Sequence, residues 1–306
     1  FGKKHQDISY CLANIGDYYF FYEKDYLKAI KYYQLSLIAI NTNFNDTDIY
    51  KNPDMNYALI YQNAIRPLRQ KAAAFVKYWE KTKNNKDIET ALETYLEAVK
   101  VLDKIRTSYS ESSSFALNEK TNNIYHEAIE TSIKLYEISN HRKYKEIAFQ
   151  LSEKNKATIL LSAIREIQAK NWGRIPKSFS VYENQLEKEI VLYKKLLYNE
   201  ELSSKPDEEK ISLWRSKLLA LTQQKDALEE FLNKNYHAYF NLKYNTDVIN
   251  IYELQKKLDD QQTLIEYSLL DSTMFIFLVT KQSYEIKKIN VDSNFYNCLN
   301  YIIKTT

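Results

Sequence analysis

The side chains able to do covalent or acid–base chemistry are few and scattered. Cys11 and Cys298 lie near opposite ends of the 306-residue chain and offer neither a disulfide framework nor a zinc-ligand spacing. A cysteine nucleophile needs a base within hydrogen-bond reach. No histidine follows Cys298, and the nearest in sequence, His237, falls in a helical segment, so Cys298 reads as structural. His5, His126, His141 and His237 are isolated and read as solvated or hydrogen-bonded. Glu229–Glu230 and Asp259–Asp260 are neighbours in sequence, so on a helix or turn they diverge and describe a solvated face. The expectation is that no residue here is catalytic, binds a cofactor or ligates a metal.

Composition narrows the classes further. There are three glycines, Gly2, Gly16 and Gly173, where average usage of about 7% predicts roughly twenty. Phosphate-cradling loops need several glycines at fixed offsets, so dinucleotide-binding and P-loop readings fall away. A net charge of +3 with 27% charged residues lacks the concentrated basic face of a nucleic-acid binder. No apolar run approaches the ~20 residues of a membrane span. The opening FGKKHQDISY has neither an initiator Met nor an apolar signal core, so it reads as an internal start. Sparse cysteine fits a reducing, cytoplasmic compartment.

Positioning falls to helices. Residues 10–40 read as a helix pair with a turn near Glu23–Asp25. Leu12, Ile15, Gly16 and Tyr19 lie at helical spacing on the first helix, and Ala29, Tyr33, Ser36 and Leu37 on the second. Small residues on one helix let large ones on the other seat against backbone. A second pair joins Tyr57–Lys81, with Pro67 expected to kink it or delay its start, to residues 88–106, where Ala91, Tyr95, Ala98 and Leu102 repeat the pattern. A third pairs 115–139 with 144–168, after the polar loop Ser108–Ser114. Gly173 and Pro176 mark a boundary. Two long helices follow, about 181–201 and 207–240. Ile211, Trp214, Leu218, Leu221, Leu228 and Leu232 fall on a near-heptad seam interrupted by Lys225. The period then changes to two, and residues 264–270, 274–280 and 284–290 read as strands. The middle strand is apolar on both faces, so it should be central and covered on both sides. A last helix spans about 292–304, and the chain is expected to end inside an α/β domain.

The first pair, with its late Gly16, the Tyr that follows, and Ala29 and Tyr33, resembles the tetratricopeptide repeat, with one extra residue between Gly16 and Ala29. AFQLSEKNKATILLSAIRE (148–166) resembles the last helix of such an array leading into a CHAT domain, a relative of the caspase and separase peptidases. QQTLIEYSLLDSTMFIFLVTKQSYEIKKI (261–289) resembles the opening strands of that domain. The match is densest at 142–166 and 261–289. It implies repeats over 1–169, a linker and antiparallel hairpin over 170–260, and the start of a CHAT-like domain over 261–306. It implies further that the Cys/His pair of peptidase members lies beyond this sequence. The first half of 148–161 would pack on the array, and Ile159–Leu161 and Ile164 toward the next elements.

The fold expected is therefore mainly α: a repeat solenoid, a helical hairpin and a short β-meander. Its function would be partner recognition for a downstream peptidase, or pure scaffolding. By analogy with tetratricopeptide arrays, Tyr10, Asp17, Phe20 and Phe21 would line a concave face for a protein or peptide partner. The 181–240 hairpin is a candidate dimer seam.

Overall fold

The computed structural model describes residues 4–55, 61–107, 119–168, 176–201, 203, 206–237, 240, 248–270 and 272–305. The loop 108–114, residues 170–175 of the boundary and Asp271 lie outside them, as do the side chains of Ile159–Leu161 and Ile164. Among the described residues the fold is mainly helical, with a small antiparallel sheet near the C-terminus. It divides into two compact units, one comprising 1–121 with 157–246 and the other 122–156 with 247–306.

In the first unit, α1 (Gln6–Tyr18) runs into a π-helical turn, Tyr19–Glu23. α2 (Tyr26–Ala39), α3 (Tyr61–Thr82) and α4 (Asn85–Thr107) follow. α1 packs on α2, α2 on α3 and α3 on α4, while α1 also touches α3. The core gathers Ala29, Ile30, Tyr33, Ala74, Phe75 and Ala91. Pro67 does not break α3; it sits in the second turn of an unbroken helix. Ser9, Ala13 and Gly16, at helical spacing, form the buried side of α1. Ser9 Oγ lies 2.8 Å from Ser36 Oγ, and Ser36 Oγ also donates to the Ser9 carbonyl at 2.8 Å. Small hydroxyls thus let two helices approach closely while satisfying each other.

Loop 41–55 is held from below by Lys71, a fully buried lysine of α3. Its ammonium donates to Gln34 Oε1 (2.7 Å), the Lys51 carbonyl (2.8 Å) and Asn52 Oδ1 (2.9 Å). Burial lowers its pKa to about 7, against a weaker opposing pull from Asp48. Thr94 donates to Asn52 Oδ1 at 3.1 Å, and Tyr50 Oη donates to Asp87 at 2.9 Å.

The same unit contains α7 (Lys177–Glu201) and α8 (Glu208–Asn235), which pack on each other. Asp207 caps α8, accepting from the Glu209 and Lys210 amides. Leu186, Leu221, Leu228 and Leu232 form the seam. Lys225, the interruption in the heptad, lies 3.5 Å from the buried Glu187 of α7 and 3.6 Å from Glu229.

The second unit holds α5 (Glu119–Ser139), the first part of α6 (Arg142–Gln168), α9 (Ile251–Lys257), the sheet, and α10 (Ser293–Thr305). Strands β1 (Thr263–Leu270), β2 (Thr273–Thr280) and β3 (Tyr284–Asn290) form a meander in the order β1-β2-β3. Glu266 opposes Phe277, and Phe277 opposes Ile286. β2 is central, as expected, but it is not covered equally on both faces. Phe275, Phe277 and Val279 are fully buried, whereas Ile276 and Leu278 on the other face are only half-buried, beside exposed Ile265, Tyr267 and Leu269.

The covered face receives α5 and α6. The His126 ring lies 4.9 Å from that of Phe275, and Phe149 meets Phe277 and Tyr284 edge-on. Tyr284 Oη donates to the Lys145 carbonyl at 2.9 Å, and Lys145 Nζ returns a bond to the Tyr284 carbonyl at 3.0 Å. The first half of 148–161 therefore packs on the sheet through Phe149 and Ser152, where its sequence suggested packing on the helical array. Ser152, buried on that half, donates to Glu266 of β1 at 2.6 Å.

Candidate partner-binding face

The three helix pairs close in one way. Lys24, Lys83 and Asn140 have φ of 52°, 56° and 54°, the left-handed region. Each is followed by a single residue before the next helix starts. Such a residue ends a helix by turning its amide back onto the last-turn carbonyls. Lys83 donates to the Trp79 carbonyl at 2.8 Å and Asn140 to that of Tyr136 at 2.7 Å. None of the three is glycine, which hides the signal from a sequence reading.

α1 presents the candidate face. Its N-terminus is capped by His5, whose Nδ1 accepts from the Asp7 amide at 3.1 Å. Gly16 is the pivot, because a Cβ there would meet the Tyr33 ring at 2.6 Å. The absent side chain seats Tyr33 deeply enough for its Oη to donate to Asp17 Oδ1 at 2.6 Å. Burial first, then Asp17, pushes the Tyr33 phenol far above its ordinary value. Asp17 also pairs with Arg66 of α3. Arg66 donates to Asn14 Oδ1 at 2.7 Å and lies over the Tyr10 ring at 5.4 Å.

The four residues expected on this face have different fates. Tyr10 is 63% exposed and Phe21 54%. Asp17 is partly buried and already holds Tyr33 and Arg66. Phe20 turns inward against the core, its ring 4.8 Å from that of Phe21. Adjacent positions on a helix point to different sides, so one ring of the pair faces the core and the other faces solvent. Three further residues join the face. Tyr18, exposed, stacks on Tyr22 at 5.9 Å and donates to Glu23 at 2.6 Å, and Tyr22 is 79% exposed. Their spacing from Tyr10 and Asn14 was readable. Arg66 was not, because only the packing of α1 near α3 brings it there.

Elsewhere, Cys11 and Cys298 are exposed. His126 is buried and its pKa lowered by that burial, and its Nε2 has no hydrogen-bond partner. His237 Nδ1 lies 2.9 Å from Asn233 Oδ1 in an exposed pair. Among the described residues no group of three or more His, Cys, Asp or Glu could hold a metal ion, and no helix is long and apolar enough to cross a membrane. The chain matches no family model, no curated protein and no solved structure.

Proposed function

We propose that this chain is the partner-binding, regulatory region of a tetratricopeptide–CHAT protein, itself non-catalytic and controlling a caspase-like cysteine peptidase domain. Partner binding rests chiefly on the exposed aromatics of α1 and its π-turn. Tyr10, Tyr18, Phe21 and Tyr22 stand in solvent while Arg66 and Glu23 hold two of them in place. Rigid aromatics that remain exposed suit a protein or peptide partner, because little side-chain entropy is lost on contact. The common turn of the three helix pairs supports a tetratricopeptide-like reading. The link to a CHAT domain is supported by contact between the two stretches that resemble it most: α6 seats Phe149 and Ser152 on the sheet of 263–290.

The test is binding of an aromatic-rich peptide library to the whole chain and to Tyr10→Ser, Phe21→Ser and Tyr22→Ser. The expected result is at least tenfold weaker binding of selected peptides, with melting temperature unchanged. Equal binding by all four proteins would overturn the assignment of the face. Peptide cleavage by the chain, lost on Cys298→Ala, would overturn the non-catalytic reading. A scaffold that assembles through α7 and α8 is the second reading, favoured by exposed Val191, Leu192, Leu213 and Leu219 on that hairpin. A strict monomer by light scattering at high concentration would count against it.

A further inference from the structure

Glu266 carries its carboxylate on the covered face of the sheet, 4% exposed. Its Oε1 accepts from Ser152 Oγ at 2.6 Å and pairs with Lys156 Nζ at 2.7 Å. Lys156 Nζ also lies 3.4 Å from Glu153 Oε1, so the same ammonium serves Glu153 and Glu266. Two carboxylates therefore converge on one ammonium. Two carboxylates gathered on one cation at a site where Glu266 is buried favour keeping a proton on one of them.

Among the described residues, several charged or polar groups near this cluster have partners of their own. On α6, Lys145 is committed to the Tyr284 carbonyl, and Glu146 is paired with Arg142 at 3.3 Å. On β3, the Tyr284 phenol is pushed up by burial and by Glu266 and Glu146, so it stays neutral. The residue opposite Glu266 on β2 is Phe277. One rung along the sheet, Lys288 is paired with Glu130 of α5 at 2.7 Å, and His126 lies against Phe275. On α9, Gln255 is uncharged and bonded to the Thr280 and Ser283 carbonyls.

We infer that Ser152, Glu153, Lys156 and Glu266 form a proton-operated latch between α6 and β1, closed when one proton is shared by the two glutamates and loosened when it leaves. The inference does not depend on the partner-binding reading. Burial, then the neighbouring Glu266 carboxylate, holds the Glu153 carboxyl up to about 7. The folded state thus keeps a proton that the unfolded chain releases near the ordinary carboxylate range. The contribution is fully present at low pH and is lost as pH rises through about 7. This places the transition within the range a cell can sample, where unperturbed carboxylates do not titrate.

The experiment uses the whole chain. Carbon-detected NMR follows the glutamate carboxyls from pH 5 to 9, with Glu153→Gln identifying the resonance. Hydrogen exchange at Ile265–Tyr267 is compared at pH 6 and pH 8 after correction for intrinsic rates. The expected result is a midpoint near 7 for Glu153 and about tenfold lower protection at pH 8, with the change abolished in Glu153→Gln. Glutamine keeps a donor toward Glu266 and has no proton to lose. A Glu153 midpoint in the ordinary carboxylate range would overturn the latch. So would a fall in protection that persists in Glu153→Gln.

Discussion

Two positions in the first unit set its packing. Gly16 is required by contact, since its own backbone conformation is ordinary helix. The Tyr33 ring it faces is buried and tied to Asp17, so it has no room to swing away. Gly16→Ala should cost about 1–3 kcal/mol by overpacking, although alanine is the better helix former. Chemical denaturation checks this, and an unchanged midpoint would mean that the α1–α2 contact is looser than described. Lys71 makes a different prediction. Its folded pKa lies well below that of the unfolded chain, so stability should fall as pH drops from about 10.5 to about 7 and then level off. Lys71→Met should abolish that slope. It should also cost about 1–3 kcal/mol at pH 10, where the neutral amine still donates two bonds, chiefly by leaving Gln34 Oε1 without its lysine donor. Urea titrations of both proteins at pH 7 and pH 10 measure both effects.

Elements were legible wherever one period ran long enough. The heptad of α8 located its buried residues, and the alternation of 264–290 located the strands and their order. What the pattern left as an anomaly, Lys225 in the seam, becomes an ion pair once α7 is laid beside α8. Lys225→Leu alone should destabilise the hairpin by about 1–3 kcal/mol, because the buried Glu187 loses its cation. Adding Glu187→Leu should recover most of that loss. A double-mutant cycle by thermal unfolding tests this, and strictly additive costs would show that the pair does not interact. The turns were less legible. Lys24, Lys83 and Asn140 adopt a conformation that sequence reading assigns to glycine, so their equivalence emerged only from backbone angles. The same limit applied to Phe20 and Phe21, adjacent aromatics of which one packs on the core and the other is exposed.

For the whole molecule, division into two compact units predicts that unfolding is not a single two-state step. Calorimetry should give a van't Hoff enthalpy smaller than the calorimetric one. The loosening by alkali assigned to the latch should appear in the second unit, whereas the alkaline gain from Lys71 should appear in the first. A single transition with equal enthalpies would mean that the units unfold as one.

By itself the sequence determined the mainly helical class, the α1–α2 and α3–α4 pairs, the long hairpin and the meander, because these rest on hydrophobic periodicity and on scarce glycine. It also marked Tyr10 and Phe21 as aromatics on an outward helical face. Only the tertiary structure decided that α6 lies on the strands, since Ser152 and Glu266 stand more than a hundred residues apart and neither is apolar. Periodicity records which face of an element is buried but not what buries it. The pairing of Arg66 with Asp17 and the gathering of Glu153 and Glu266 on Lys156 depended on that second fact.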